Sequence, residues 1–166
     1  KVKIRPLTQA DYSQALSMLQ KLHTLHVNHR PDLFRATEEA LPVEEFRSYL
    51  EGEAVYSVAA EGEDGTLEGV CLAARRSKPS QDPRWHDRDL VYLEALYVPE
   101  EYRRRGVGKA LVEAVRVQAR RSGVMCVELQ VWLMPGGAFD FYRSIGFQPQ
   151  HCSMTDKFNE NEESTT

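Results

Sequence analysis

The chain has 166 residues, 42% apolar and 28% charged, ordinary values for one globular domain large enough to bury a real core. Its net charge of -4, from 21 Lys plus Arg against 25 Asp plus Glu, argues against duplex nucleic acid as the main partner. No apolar run approaches the ~20 residues that span a membrane, and Lys1 to Pro6 is too polar for the core of a secretory signal, so the cytoplasm is the default compartment.

Val2-Lys3-Ile4-Arg5 alternates and Pro6 stops it, which predicts a short first strand. Thr8 offers an N-cap, with Asp11 three residues on in place of the usual Glu or Gln. Leu16, Met18, Leu19 and Leu22 then recur at helical spacing and predict a helix over about residues 9 to 25. His23, His26 and His29 follow at intervals of three. No His-Glu-x-x-His pattern and no cysteine accompanies them, so they read as a helix end rather than a metal stripe, and no metal site is expected. Asn28 to Phe34 reads as a loop with an anchoring Leu33-Phe34 pair, and Pro42 with Glu44, Glu45, Phe46, Tyr49 and Leu50 predicts a second short helix.

The period then changes. Ala54 to Ala60 and Leu67 to Ala74 flank the turn residues 61 to 66, which predicts a hairpin. Residues 76 to 89 are polar, with Trp85 their only large hydrophobe, and read as a loop beside a site. Leu90 to Val98 is the strongest central strand, ended by Pro99. A helix opens at Gly106-Val107-Gly108, carries Leu111, Val112, Val115 and Ala119 on one face, and closes at Gly123. Val124 to Leu133 predicts another strand, Ala138 to Ile145 a short last helix, and Phe147 onward a final strand. The order describes an α/β (α+β) domain around one mixed sheet, spanning residues 1 to 158, with a polar, frayed tail over 159 to 166. Cys71, Cys126 and Cys152 are odd in number and far apart, which excludes a disulfide framework; Cys71 and Cys126 lie in apolar runs and read as buried.

The segment with the most chemistry is Tyr102-Arg103-Arg104-Arg105-Gly106-Val107-Gly108-Lys109-Ala110, between a buried strand and an amphipathic helix. Two glycines allow a tight turn and close approach of a ligand. The first N–H groups of a helix lack intrahelical partners and point along the positive end of its dipole, a natural seat for pyrophosphate. Arg103, Arg104, Arg105 and Lys109 add positive charge. Neither a Walker A nor a Rossmann pattern fits, since no Gly-Lys-Ser/Thr occurs and residue 111 is Leu.

These residues resemble the Gcn5-related N-acetyltransferase (GNAT) superfamily, whose Arg/Gln-x-x-Gly-x-Gly/Ala signature is matched by Arg103, Gly106 and Gly108. Leu96-Tyr97-Val98-Pro99 is similar to the family's strand four, and Ala138 to Phe147 to its last helix; the likeness in element order covers about residues 2 to 158. The resemblance implies a GNAT-like acyl-CoA N-acyltransferase fold in which strands four and five splay into a wedge. Leu96 and Val98 would then bond the pantetheine arm of acetyl-CoA, and the turn from Arg103 to Ala110 would hold the pyrophosphate. Tyr142 matches the family tyrosine beside the thioester sulfur. Where many relatives carry an asparagine seven residues before that tyrosine, this chain has Pro135, which offers neither a polar side chain nor an N–H.

The implied reaction is direct transfer of an acetyl group from acetyl-CoA to a primary amine. An aliphatic amine is mostly protonated at neutral pH, so a base must take its proton. Glu94 interrupts an otherwise apolar strand and is the first candidate, against a plain reading as an outward glutamate paired with an arginine; Glu128 is a weaker candidate. Tyr142 would protonate the leaving thiolate, against a plain reading as a core aromatic. Cys126 has no histidine near it in sequence, which disfavours an acetyl-cysteine route. The acceptor is expected to be a small molecule rather than a protein, walled by Asn28 to Phe34, residues 76 to 89 and Trp132 to Gly137, with Asp32, Asp82, Asp87 and Asp89 suited to a cation. The alternative is an acetyl-CoA-binding protein of the same fold with little transferase activity. A homodimer is implied by the resemblance.

Overall fold

A computed structural model describes residues 2 to 159. It divides into two compact units, Lys1–Gln130 and Val131–Thr166. The expected tail lies almost wholly outside the described residues.

The first unit is a five-stranded sheet in the order β1-β2-β3-β4-β5. Strands β1 (Lys3–Pro6), β2 (Val58–Glu61), β3 (Leu67–Lys78) and β4 (Arg88–Tyr97) pair antiparallel, and β5 (Val127–Glu128) joins β4 in parallel. The mixed sheet predicted from element order is present. Several strand lengths differ from expectation. β3 and β4 run four and two residues further toward each other, because Arg75 to Lys78 pair with Val91 to Arg88 despite their polar side chains. Backbone pairing and the Arg75–Asp89 ion pair (2.7 Å) support strand there without an apolar face, so the loop shrinks to residues 79 to 87. Conversely, β5 is two residues rather than ten, and no strand follows Phe147 among the described residues. Runs that look like strands from their β-branched content need a partner to become strands.

Helix α1 (Tyr12–His29) extends four residues beyond its expected end and so includes all three histidines, with His26 and His29 in its last turn. A short 3₁₀ turn, Gln9–Asp11, precedes it. Asp11 is buried and takes both Arg5 guanidinium bonds at 2.8 Å, while its carboxylate also accepts the Thr8 N–H at 2.8 Å. Burial alone would raise the Asp11 carboxyl; the bonds from Arg5 and Thr8 outweigh it and hold the group below the usual carboxylate range. Arg5 also pairs with Glu61, which ties β1 to β2. Helix α2 (Val43–Ser48) buries Phe46 fully, its ring centre 5.2 Å from that of Tyr12 and tilted against it by 47°.

Together Ala15, Met18, Leu19, Leu41 and Phe46 cover one face of the sheet at Ala59, Val70 and Leu72. Helix α3 (Val107–Arg121) covers the other face with Leu111, Val112, Val115 and Ala119, the stripe read from the sequence. Gly69 lets α3 come close. A Cβ there would lie 2.9 Å from Leu111 Cδ1, 3.2 Å from Val107 Cγ1 and 3.3 Å from Val98 Cγ2. The absence of a side chain at one position of β3 thus sets the start of α3 against the end of β4.

The second unit holds α4 (Phe139–Ser144) and the segments around it. Pro135 and Gly136 (φ 70°) fill the centre of a turn closed by the Gly137 N–H on the Met134 carbonyl at 3.0 Å.

Candidate active site

β5 pairs with β4 only at Val91↔Val127 and Tyr92↔Glu128. From Leu93 onward β4 keeps β3 on one side and has no β5 ladder on the other. This is the opening expected between strands four and five; Leu96 lies along it, and Val98 follows the strand's last residue, Tyr97. Within the same stretch β4 carries a bulge. Leu72 faces Ala95 and Ala73 faces Leu93, so Glu94 is the extra residue. Buried Ser57 braces the opposite strand there, donating its hydroxyl to the Ala73 carbonyl at 2.9 Å and accepting the Ala73 N–H at 3.0 Å.

The chain leaves β4 through Pro99 and a 3₁₀ turn, Glu100–Tyr102, and enters α3 by an unusual backbone. Arg104 has φ 61° and Gly106 φ 78°, both left-handed. Gly106 meets that demand at no steric cost, whereas Arg104 is strained. Arg103 Nε donates to the Val98 carbonyl at 2.8 Å and its guanidinium lies 5.6 Å from the Tyr97 ring centre, which fastens the turn to the end of β4. No side chain caps the start of α3, and a Cβ on Gly106 would meet nothing within 4 Å. Arg103, Arg104, Arg105 and Lys109 are exposed around this open helix start. A pyrophosphate fits such a seat: free N–H groups, a positive dipole end, surrounding cations and a clear approach.

The exposed Glu94 corrects one sequence argument. Its side chain is 40% exposed and forms an ion pair with Arg76 at 3.1 Å, so it is not a buried carboxylate demanding a use. It shares the face of β4 that carries Tyr92, two residues earlier, by ordinary strand alternation. Glu94 is nonetheless not isolated. Burial and then the Glu94 charge raise the carboxyl of Glu45, and burial followed by Glu94 and Glu45 pushes the Tyr49 phenol above its ordinary value. Tyr92 is raised by burial and then Glu94. Glu45, Tyr49, Arg76 and Tyr92 were not expected here. Their i,i+4 spacing on α2 and i,i+2 spacing with Glu94 on β4 were visible, but only the β3–β4 register brings Arg76 to them.

The aspartates expected to favour a cation are largely committed elsewhere. Asp32, Asp82 and Asp89 form ion pairs at 2.7 Å with Arg30, Arg84 and Arg75, and Asp87 accepts the Ser80 N–H at 2.8 Å. Phe34 anchors its loop by stacking on His26 at 5.3 Å and meeting His23 edge-on, while Leu33, its expected partner, is exposed. Glu128 is tied to Arg88, and Cys126 lies half-buried beside it at 3.8 Å. Burial and the Glu128 charge push the Cys126 thiol up, which disfavours a nucleophilic thiolate.

In the second unit Tyr142 is buried on α4, its ring 5.2 Å from Phe141 and 5.5 Å from Phe147. The packing half of its two readings is therefore present.

Residues 52–149 match the family model described as the acetyltransferase (GNAT) domain. The chain belongs to that family. The matched stretch runs from before β2 to beyond α4 and so contains the opening along β4, the arginine-glycine turn and Tyr142. The uncharacterised N-acetyltransferase MJ1207 of Methanocaldococcus jannaschii is 33% identical over 61 residues, 37% of this chain but only 27% of that protein. The thialysine N-epsilon-acetyltransferase of Bos taurus is 27% identical over 149 residues, covering 89% of this chain and 84% of that one. Among solved structures, a mutant of the BH1408 protein from Bacillus halodurans superposes with a TM-score of 0.85 at 27% identity, over 95% of this chain and 99% of that one. The GNAT acyl-CoA fold expected from the resemblance is thus the fold of the chain. Among the described residues no helix is long and apolar enough to cross a membrane.

Proposed function

We propose that the chain binds acetyl-CoA and transfers its acetyl group directly to a primary amine of a small molecule. The uncapped start of α3, with its left-handed Gly106 and exposed cations, carries this reading, since its one obvious ligand is a pyrophosphate. Leu96 and Val98 bond the pantetheine arm along the open edge of β4. Arg103, Arg104, Arg105 and Lys109 neutralise the phosphates, and Gly106, Val107, Gly108 and Ala110 bring the backbone to them.

Glu94 takes one proton from the acceptor ammonium. The freed amine forms a bond to the thioester carbon while the Val98 N–H stabilises the carbonyl oxygen. As the carbon–sulfur bond breaks, Tyr142 gives its phenolic proton to the departing thiolate. The phenolate regains a proton from the ammonium nitrogen formed by the attack, directly or through solvent, and Glu94 releases its own to water. The products are an N-acetyl amine and free coenzyme A. The bovine relative is named for the side-chain amine of thialysine; a small aliphatic amine of that kind suits the Glu94 surroundings, where Glu45 adds a second carboxylate within reach of its charge.

Direct transfer predicts intersecting lines when initial rates are measured against both substrates, and no labelled protein after incubation with radiolabelled acetyl-CoA alone. Parallel lines with an acetylated Cys126 peptide would replace this mechanism by a two-step one. We further propose a homodimer, as the family resemblance implies, and, from composition, charge and motifs, a cytoplasmic protein with no nucleic acid or membrane partner and no metal. Sedimentation at a concentration on the order of tens of micromolar, typical of Kd values in that range, is expected to give twice the 19.0 kDa chain mass; a monomer there removes the claim.

A further inference from the structure

Arg76 lies on β3 between two groups that an incoming ammonium would seek. Its guanidinium sits 3.8 Å over the centre of the Tyr92 ring, and its Nη2 donates to Glu94 at 3.1 Å. An aromatic face beside a carboxylate is a general cation receptor, one part by quadrupole and the other by charge-assisted hydrogen bonding. Here both parts are occupied by the protein itself. The surroundings are otherwise acidic: burial and then the Glu94 charge raise the Glu45 carboxyl on α2, and burial followed by Glu94 and Glu45 raises the Tyr49 phenol.

We propose that Arg76 is a built-in competitor of the acceptor: its guanidinium fills the cationic place between Tyr92 and Glu94, and the acceptor ammonium displaces it to reach Glu94. The inference rests on the reading of Glu94 as the proton acceptor. Arg76 is 46% exposed and Glu94 40% exposed, so the pair is solvent-screened and weak. The arginine can swing into solvent on its flexible stem at little cost. Because a guanidinium keeps its charge at any working pH, the competition is permanent. It discriminates by charge: an acceptor gains the place only if its own cation binds the ring and carboxylate better than Arg76 does, whereas a neutral amine gains nothing from either contact.

The test is steady-state kinetics of the full chain at low salt, with thialysine and separately ethylamine as acceptors, for wild type, Arg76→Met, Arg76→Lys and Glu94→Gln. Arg76→Met keeps an unbranched stem and removes the charge. The expected result is a ~3-fold or larger fall in acceptor KM for Arg76→Met, the size of a weak surface pair. Its kcat and its KM for acetyl-CoA should stay near wild type. Arg76→Lys, which keeps a cation, should retain the wild-type acceptor KM. An unchanged or raised acceptor KM in Arg76→Met, beside lost turnover in Glu94→Gln, overturns this inference alone. Wild-type turnover in Glu94→Gln overturns the base reading and this inference with it, as does a wild-type protein that acetylates neither amine. A fall in kcat at constant KM for Arg76→Met would make the residue a support for Glu94 instead of a competitor.

Discussion

Gly108→Asp is expected to weaken coenzyme A binding ~100-fold or more, a loss of about 3 kcal/mol. The substitution sets a carboxylate in the first turn of α3, where the pyrophosphate is proposed to sit among free N–H groups. Two opposed charges lose attraction and two like charges gain repulsion over a few ångströms, an effect of about 4 kcal/mol per close pair near a protein surface. The same substitution is gentle toward the fold. An acidic residue in a first helical turn complements the dipole and can bond the open N–H groups, so the variant should melt near wild type. Binding and folding are therefore separable at this position. Calorimetry on the folded variant reads the first, and thermal unfolding reads the second. Unchanged affinity would remove the pyrophosphate from this turn.

The second large effect is expected at Tyr142. Tyr142→Phe keeps the ring that packs against Phe141 and Phe147 and deletes only the hydroxyl. If that hydroxyl protonates the thiolate, turnover should fall ~10²-fold or more while coenzyme A affinity holds, and the alkaline limb of the rate profile should disappear. The acceptor must be one whose chemistry limits the rate, because slow product release would hide the defect. Wild-type turnover would leave Tyr142 as the aromatic core residue that its burial already makes it. A loss of affinity at constant turnover would make it a cofactor contact.

The two positions also show what could be read from the chain before its fold was known. Local signals carried well. The apolar stripe Leu111, Val112, Val115, Ala119 and the helix start at Gly106 depend on neighbours within a turn or two, and both stand where the spacing put them. Signals that depend on distant partners carried less far. Val124 to Leu133 has the composition of a strand, yet among the described residues only Val127 and Glu128 pair with a neighbouring strand. Arg75 to Lys78 has the composition of a loop, yet it is strand, because β4 lies alongside to take its hydrogen bonds. Glu94 stood out as a charge in an apolar run, but the burial that made it notable does not hold. It sits in a one-residue bulge that no periodicity announces, and its partner Arg76 is 18 residues away in sequence. The surroundings proposed for the acceptor were illegible for the same cause: Arg76 of β3 comes beside Tyr92 and Glu94 of β4 only through the register of the sheet. Asp32, Asp82 and Asp89 were attractive as free acids, and each has an arginine two or more residues away that sequence order alone does not assign.

The most direct measurement mixes the purified chain with acetyl-CoA and thialysine and follows free thiol and N-acetyl amine together. The account predicts that both appear at the same rate and in equal amounts, that neither appears without protein, and that Gly108→Asp suppresses both. Tight coenzyme A binding with no thiol release for any aliphatic amine would contradict it and would leave an acetyl-CoA-binding protein that does not transfer the group.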